Sequence, residues 1–189
     1  MKVLGIMGSP RIGGNSDLLL DQALAGAKEA GAEVEKLILS RKKISGCLNC
    51  EKCNETGICV VKDDMLEIHK KILDADGIIH SVPLYFWAMT AQTKAYLDRW
   101  CAFFNGEWQI HEAYRTRMEG KKIGLITVCG DPDVSAADPI VRSFKNTCEL
   151  SNLTWLGAVQ VSAGAKGEIA SNKTARKKAY DLGKKGATE

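Results

Sequence analysis

The chain of 189 residues contains no apolar run close to the ~20 residues that span a bilayer. Its opening run, Met1 to Gly8, is too short for a signal peptide, and glycine- and proline-containing sequence follows at once. The chain is therefore expected to be cytoplasmic, without a membrane partner. A formal net charge of +3 is too small an imbalance to imply nucleic acid. There is no internal repeat and no low-complexity stretch. Hydrophobic residues at 45% and charged residues at 26% argue against disorder, collagen and a coiled coil. The expectation is one domain over residues 1–189, with a loop inserted at about 40–63. Cysteine, by contrast, is plentiful, with seven in all. In a reducing compartment clustered thiols more often bind metal or do redox chemistry than form disulfides.

Short apolar runs alternate with longer amphipathic stretches. Val3–Met7, Ile78–Val82 and Ile123–Val128 read as strands buried on both faces. Val34–Leu39 and Trp155–Val161 carry Glu35, Lys36 and Gln160, which suits edge strands. Helical stripes run through Leu19, Leu20, Ala23, Leu24 and Ala27, and through Met65, Ile68, Ile72 and Leu73. Others run through Thr93, Tyr96, Leu97 and Trp100, and through Ile140, Val141, Phe144 and Cys148. A thin stripe (Ala175, Ala179, Leu182) lies on a basic segment, Lys173–Lys185. Five strands alternating with five helices predict a parallel sheet covered on both faces. Gly8–Ser16 lacks the G-x-G-x-x-G of a dinucleotide-binding fold, and Gly14 stands where a P-loop needs lysine. A doubly wound flavodoxin-like sheet, order 2-1-3-4-5, remains, with its FMN site between strands 1 and 3. Two long connections, Ser40 to Asp63 and Ala102 to Gly120, are expected to be functional or disordered.

The first loop joins a strand end to a helix N-terminus, where unpaired N–H groups and the helix dipole favour an anion. Gly13 and Gly14 let the backbone close tightly. Ser9, Asn15 and Ser16 supply hydroxyl or amide donors, and Arg11 a fixed cation. Asn15 and Ser16 are also good N-caps, a purely structural alternative. Past strand 3, Pro83-Leu84-Tyr85-Phe86-Trp87 would leave an exposed apolar patch unless covered. Its aromatics suit a flat ring or, alternatively, a subunit contact. Cys129-Gly130-Asp131 is the expected third loop over the same crevice. His80 reads as packed at its strand end.

Cys47, Cys50, Cys53 and Cys59 spell C-x2-C-x2-C-x5-C. Two-residue spacing lets successive thiolates converge, and so compact a run suits a cubane iron–sulfur cluster. Zinc, a redox disulfide pair and a structural turn remain as alternatives, although the paired C-x-x-C zinc pattern is absent. Lys42, Lys43, Lys52 and Lys62 beside the loop read as a solvated basic surface. Cys101, Cys129 and Cys148 read as core or crevice residues.

Gly8-Ser9-Pro10-Arg11 with Gly14-Asn15-Ser16, then Pro83–Trp87 followed by Lys94, Asp98 and Arg99, together with the compact four-cysteine run, resemble the iron-sulfur flavoproteins. These belong to the wider NADPH-dependent FMN reductase group of flavodoxin-like proteins. The resemblance covers essentially the whole chain. It implies FMN held at its phosphate by Ser9, Arg11, Asn15 and Ser16, in the loop of Gly13. Residues 83–87 and the Gly130 loop would surround the ring. It implies a [4Fe–4S] cluster on Cys47, Cys50, Cys53 and Cys59, and a homodimer or homotetramer. It also implies electron transfer between a ferredoxin-like donor and a small acceptor, with no acid–base residue assigned.

Two other functions compete. One is an NAD(P)H-dependent FMN, quinone or nitro reductase whose cysteine loop is structural or zinc-bound. The other is a non-enzymatic electron carrier or thiol sensor, which the basic charge weakly disfavours.

Overall fold

In the computed structural model, which describes residues 1–188, five parallel strands form one sheet in the order β2-β1-β3-β4-β5. The strands are β1 (Lys2–Met7), β2 (Glu33–Ile38), β3 (Gly77–Pro83), β4 (Lys122–Cys129) and β5 (Thr154–Ser162). The mixed runs lie at the two edges, as their charged residues require, and the continuous apolar runs lie between them. The helices are α1 (Asn15–Glu29), α2 (Cys53–Thr56), α3 (Met65–Asp74), α4 (Ala91–Asp98), α5 (Arg115–Met118), α6 (Asp138–Leu150) and α7 (Lys173–Gly186).

Side chains alternate across a strand, so each central strand feeds two cores. Leu4, Ile6, Ile78, Val82, Ile123 and Leu125 face α3, α4 and α6. Val3, Met7, Ile79, Ile126 and Val128 face α1 and α7. Leu20 of α1 is fully buried in the second core, where truncation to alanine costs about 2–5 kcal/mol. The helix pair over that core approaches backbone to backbone. A Cβ on Gly26 would strike the Tyr180 carbonyl, and one on Gly183 would strike that of Ala23.

The connection after α4 differs from the expected loop. The stripe through Trp100 is α-helical only to Asp98, and Arg99–Phe103 tightens into a 3₁₀ turn. Phe103, Phe104 and Met118 are buried, Phe104 bridges Ile110, and a short turn leads into α5. This stretch is an extension of the first core that lies over the cysteine loop. At the opposite seam, Thr90 caps α4 by accepting from the Thr93 N–H, while its hydroxyl donates to the Gly8 carbonyl at 2.8 Å. The start of α4 is thereby tied to the end of β1.

Candidate functional site

A cleft of about 520 Å³ opens at the carboxyl ends of the strands, where β1 and β3 diverge. Ser9, Arg11, Asn15, Ser16, Pro83, Leu84, Tyr85 and Gly130 line it. Gly13 lies outside that lining. It takes a φ of +69°, and its N–H donates to the Asp17 carboxylate at 2.7 Å. The first α1 bond runs from the Leu18 N–H to the Gly14 carbonyl at 3.0 Å. The N–H groups of Asn15, Ser16 and Asp17 are left without a helical acceptor, a natural anion cradle.

The Asn15 side chain, in the lining of the cleft, also ties two loops together. Its amide donates to the Ala165 carbonyl at 2.8 Å and, more weakly, to that of Ala163 at 3.4 Å. Its oxygen accepts from the Ile169 N–H at 3.2 Å. Asn15 thus fastens the first loop to the segment after β5, and α1 is capped by Gly14 instead. The same segment brings Lys166 into the lining of the cleft, which Arg11 shares. Sequence reasoning missed Lys166, although its place just past the last strand of a parallel sheet was a usable signal.

Phe86 and Trp87 do not line the cleft. Tyr85 and Ala88 exchange backbone hydrogen bonds at 2.9 and 3.1 Å, which makes a tight hairpin with the two aromatics at its tip. Their φ values are +47° and +57°, a left-handed conformation unfavourable to bulky side chains. Phe86 is 94% and Trp87 68% exposed.

The cysteine loop hangs from a clamp. Arg99 is 1% exposed at its side chain and bonds both sides of the loop's neck. It donates to the Ser45 carbonyl at 2.9 Å, the Val61 carbonyl at 3.2 Å and the Asp63 carboxylate at 2.8 Å. Within the loop, Gly57 closes α2 with a φ of +70°, and a Cβ there would strike the Tyr114 ring. The Tyr114 hydroxyl donates to the Gly57 carbonyl at 3.0 Å. Cys47 and Cys50 are exposed, Cys53 and Cys59 half-buried, and all four are free thiols. Burial pushes the Cys53 thiol up, and its neighbours Cys59, Cys47 and Cys50 push it further. The four thiols therefore share one neighbourhood. Among the described residues, however, no three His, Cys, Asp or Glu side chains meet closely enough to hold a metal ion.

A second cleft of about 550 Å³ opens here. Cys47, Cys53 and Cys101 line it, with Phe104 and Trp108 on the far wall. Cys101, expected in the core or a crevice, lines this crevice beside the ligand loop.

Fold and cleft together define a flavodoxin-like α/β protein with an anion cradle at the sheet's switch point. The chain belongs to the NADPH-dependent FMN reductase family, whose sequence profile matches residues 1–177. That family consists of flavin-dependent oxidoreductases. An iron-sulfur flavoprotein of Methanocaldococcus jannaschii is 46% identical over 99 residues, 52% of this chain and 51% of the relative. A second iron-sulfur flavoprotein of that organism is 31% identical over 190 residues, 100% of this chain and 87% of the relative. In several such matches the chain spans about half the length of the curated relative. The solved structure of a Trp repressor binding protein from Bacillus subtilis superposes with a TM-score of 0.73 at 24% identity, covering 95% of this chain and 99% of that one. That likeness concerns the fold alone. Among the described residues, no helix is long and apolar enough to cross a membrane.

Proposed function

We propose that the chain binds FMN in the first cleft and a [4Fe–4S] cluster on Cys47, Cys50, Cys53 and Cys59. Electrons would pass from a ferredoxin-like donor or NAD(P)H to a small acceptor, in a cytoplasmic homodimer or homotetramer. The observation that carries the flavin assignment is the cradle of free α1 N–H groups flanked by Arg11 and Lys166. Two cations and a helix N-terminus suit a phosphate dianion. Ser9 and Ser16 add hydroxyls at the cradle floor, while Asn15 holds the Lys166 side in place. Pro83, Leu84, Tyr85 and Gly130 offer backbone and ring surface to a planar group further along the cleft. Gly13 shapes the loop, and Phe86 and Trp87 project outward as a subunit contact.

The donor set fits a cluster. Four free thiols sit in one loop pinned at its neck by the buried Arg99–Asp63 pair, and four cysteine thiolates are the ligands such a cluster takes. Loading would draw the thiols together, because metal binding and local folding are coupled. When bound, the cluster supplies one-electron transfer, and FMN supplies conversion between one- and two-electron steps. No side chain of the first cleft is assigned as an acid or a base.

The test is anaerobic reconstitution with ferrous iron and sulfide. Serine at Cys47, Cys50, Cys53 or Cys59 should each lower bound iron and sulfide. Unchanged iron in the fourfold serine variant would overturn the assignment. A second reading is a plain NAD(P)H-dependent flavin reductase with a structural or zinc-bound loop. The separation of the thiols favours it, and fast flavin reduction by NADPH in iron-free protein would support it.

A further inference from the structure

Cys101 sits on the rigid turn Arg99–Phe103, next to buried Trp100 and Ala102. Cys47 lines the same second cleft from an irregular segment. Within that cleft the Cys47 thiol neighbours the Cys101 thiol. Cys53 meets Cys101 differently, with its sulfur directed to the Cys101 carbonyl at 3.9 Å. The thiol that faces Cys101 is therefore that of Cys47. Cys47 is also the exposed member of the pair, and its sulfur accepts from the Asn49 N–H at 3.4 Å.

We propose that Cys47 and Cys101 form a reversible disulfide when the loop holds no cluster, and that this bond withdraws Cys47 from the ligand set. The second half of the proposal rests on the cluster reading above, whereas the first half does not.

A small-molecule disulfide is the oxidant. The Cys47 thiolate attacks one of its sulfurs, forming a mixed disulfide and releasing one thiolate, which takes up the proton Cys47 gave up. Cys101 then attacks the Cys47 sulfur and releases the second small thiol, which takes up the Cys101 proton. Two protein thiols are oxidised and one small disulfide is reduced to two thiols. Exposed Cys47 meets the reagent first, and half-buried Cys101 resolves the adduct. Bridging needs Cβ atoms about 3.5–4.5 Å apart, which the irregular Cys47 segment can reach by a local shift while the turn stays fixed. A cluster on Cys47 and the disulfide exclude each other, so the thiol state of Cys101 decides whether an empty loop can be loaded.

The test uses the cluster-free, full-length chain treated with oxidised glutathione. Mapping of digested protein should recover a peptide pair linking Cys47 to Cys101, with both thiols lost from alkylation. Oxidised wild type should then fail to take up ferrous iron and sulfide, and dithiothreitol should restore uptake. Cys101→Ser lacks the resolving thiol, so after oxidation it should keep glutathione on Cys47, a mass gain on that peptide that oxidised wild type does not show. Cys101 still fully alkylated after oxidation, or Cys47 linked instead to Cys50, Cys53 or Cys59, would overturn the proposal. So would oxidised wild type that keeps glutathione on Cys47 to the same extent as oxidised Cys101→Ser. Failure of every reduced form to load would instead count against the cluster reading, while the peptide map would still decide the disulfide.

Discussion

Arg99 and Asp63 form a two-pronged ion pair at the neck of the cysteine loop. Arg99 Nη1 donates to one carboxylate oxygen at 2.8 Å and Nη2 to the other at 3.2 Å. The N–H groups of Ser45 and Met65 donate to the same carboxylate at 2.9 and 3.0 Å. Both side chains are buried, at 1% and 9% exposure. One residue of the 3₁₀ turn after α4 thus closes a loop that starts at β2 and ends at α3.

Removing one partner strands the other. Arg99→Met leaves Asp63 without its cation and two carbonyls without their donor, and should cost about 3–5 kcal/mol of stability. Chemical denaturation measures this loss directly. The same variant should load less iron, because the neck no longer holds Ser45 against Val61. Arg99→Met with unchanged stability would remove the clamp from the account.

The pair also has a pH signature. Burial alone would raise the Asp63 carboxyl, but Arg99 and the N–H groups of Ser45 and Met65 outweigh it and hold it below the usual value of 3.8. The stabilisation is therefore complete above pH 3.8 and is lost as pH falls through the lower folded value. Asp63→Asn should be less stable at neutral pH, and its deficit should shrink in acid below that point.

His69 acts earlier in an acid titration. Burial lowers it from 6.5 to about 4, and as a neutral ring its Nε2–H donates to the Arg99 carbonyl at 3.0 Å. The unfolded chain takes up a proton near pH 6.5 that the folded chain refuses. Stability therefore falls from pH 6.5 toward 4 by up to about 1.4 kcal/mol per pH unit for this residue. His69→Gln, compared with wild type across that range, should show a shallower decline.

Arg11→Ala and Lys166→Ala should each weaken FMN binding about tenfold, read by flavin fluorescence titration. Asn15→Ala should behave differently. It loses the bonds that join two loops, so it should lower stability by about 1–3 kcal/mol as well as affinity. Weakened binding with unchanged stability would return Asn15 to the role of a direct ligand.

The turn tip separates strain from function. Phe86→Asn with Trp87→Gly places favoured residues at two left-handed positions, and should raise stability by about 1 kcal/mol if the tip is free in the folded chain. If the same variant shifts the oligomer toward monomer, the aromatics form the subunit contact. Reduced stability with no change in assembly would contradict both expectations.

The sheet order was legible because continuous apolar runs such as Val3–Met7 suit only buried strands, and charged Glu35 and Lys36 suit only an edge. The cleft was partly legible, since strand ends and glycine-rich loops are local features. The ties of Asn15 to Ala165 and Ile169 were not legible, because those partners lie far along the chain. Cys101 was legible as a core or crevice residue, but helical spacing does not say which loop covers it, so its place beside Cys47 was not. Phe86 and Trp87 read as ring contacts until the Tyr85–Ala88 hairpin turned them outward. Arg99 stood among the residues of the family resemblance, but its work at the neck depends on three carbonyl and carboxylate partners that only the fold assembles.

The most direct test of the account is a count of flavin, iron and sulfide per chain after anaerobic reconstitution of the wild-type protein. The account predicts one FMN with about four irons and four sulfides. Protein that binds FMN but returns no iron and no sulfide would contradict it.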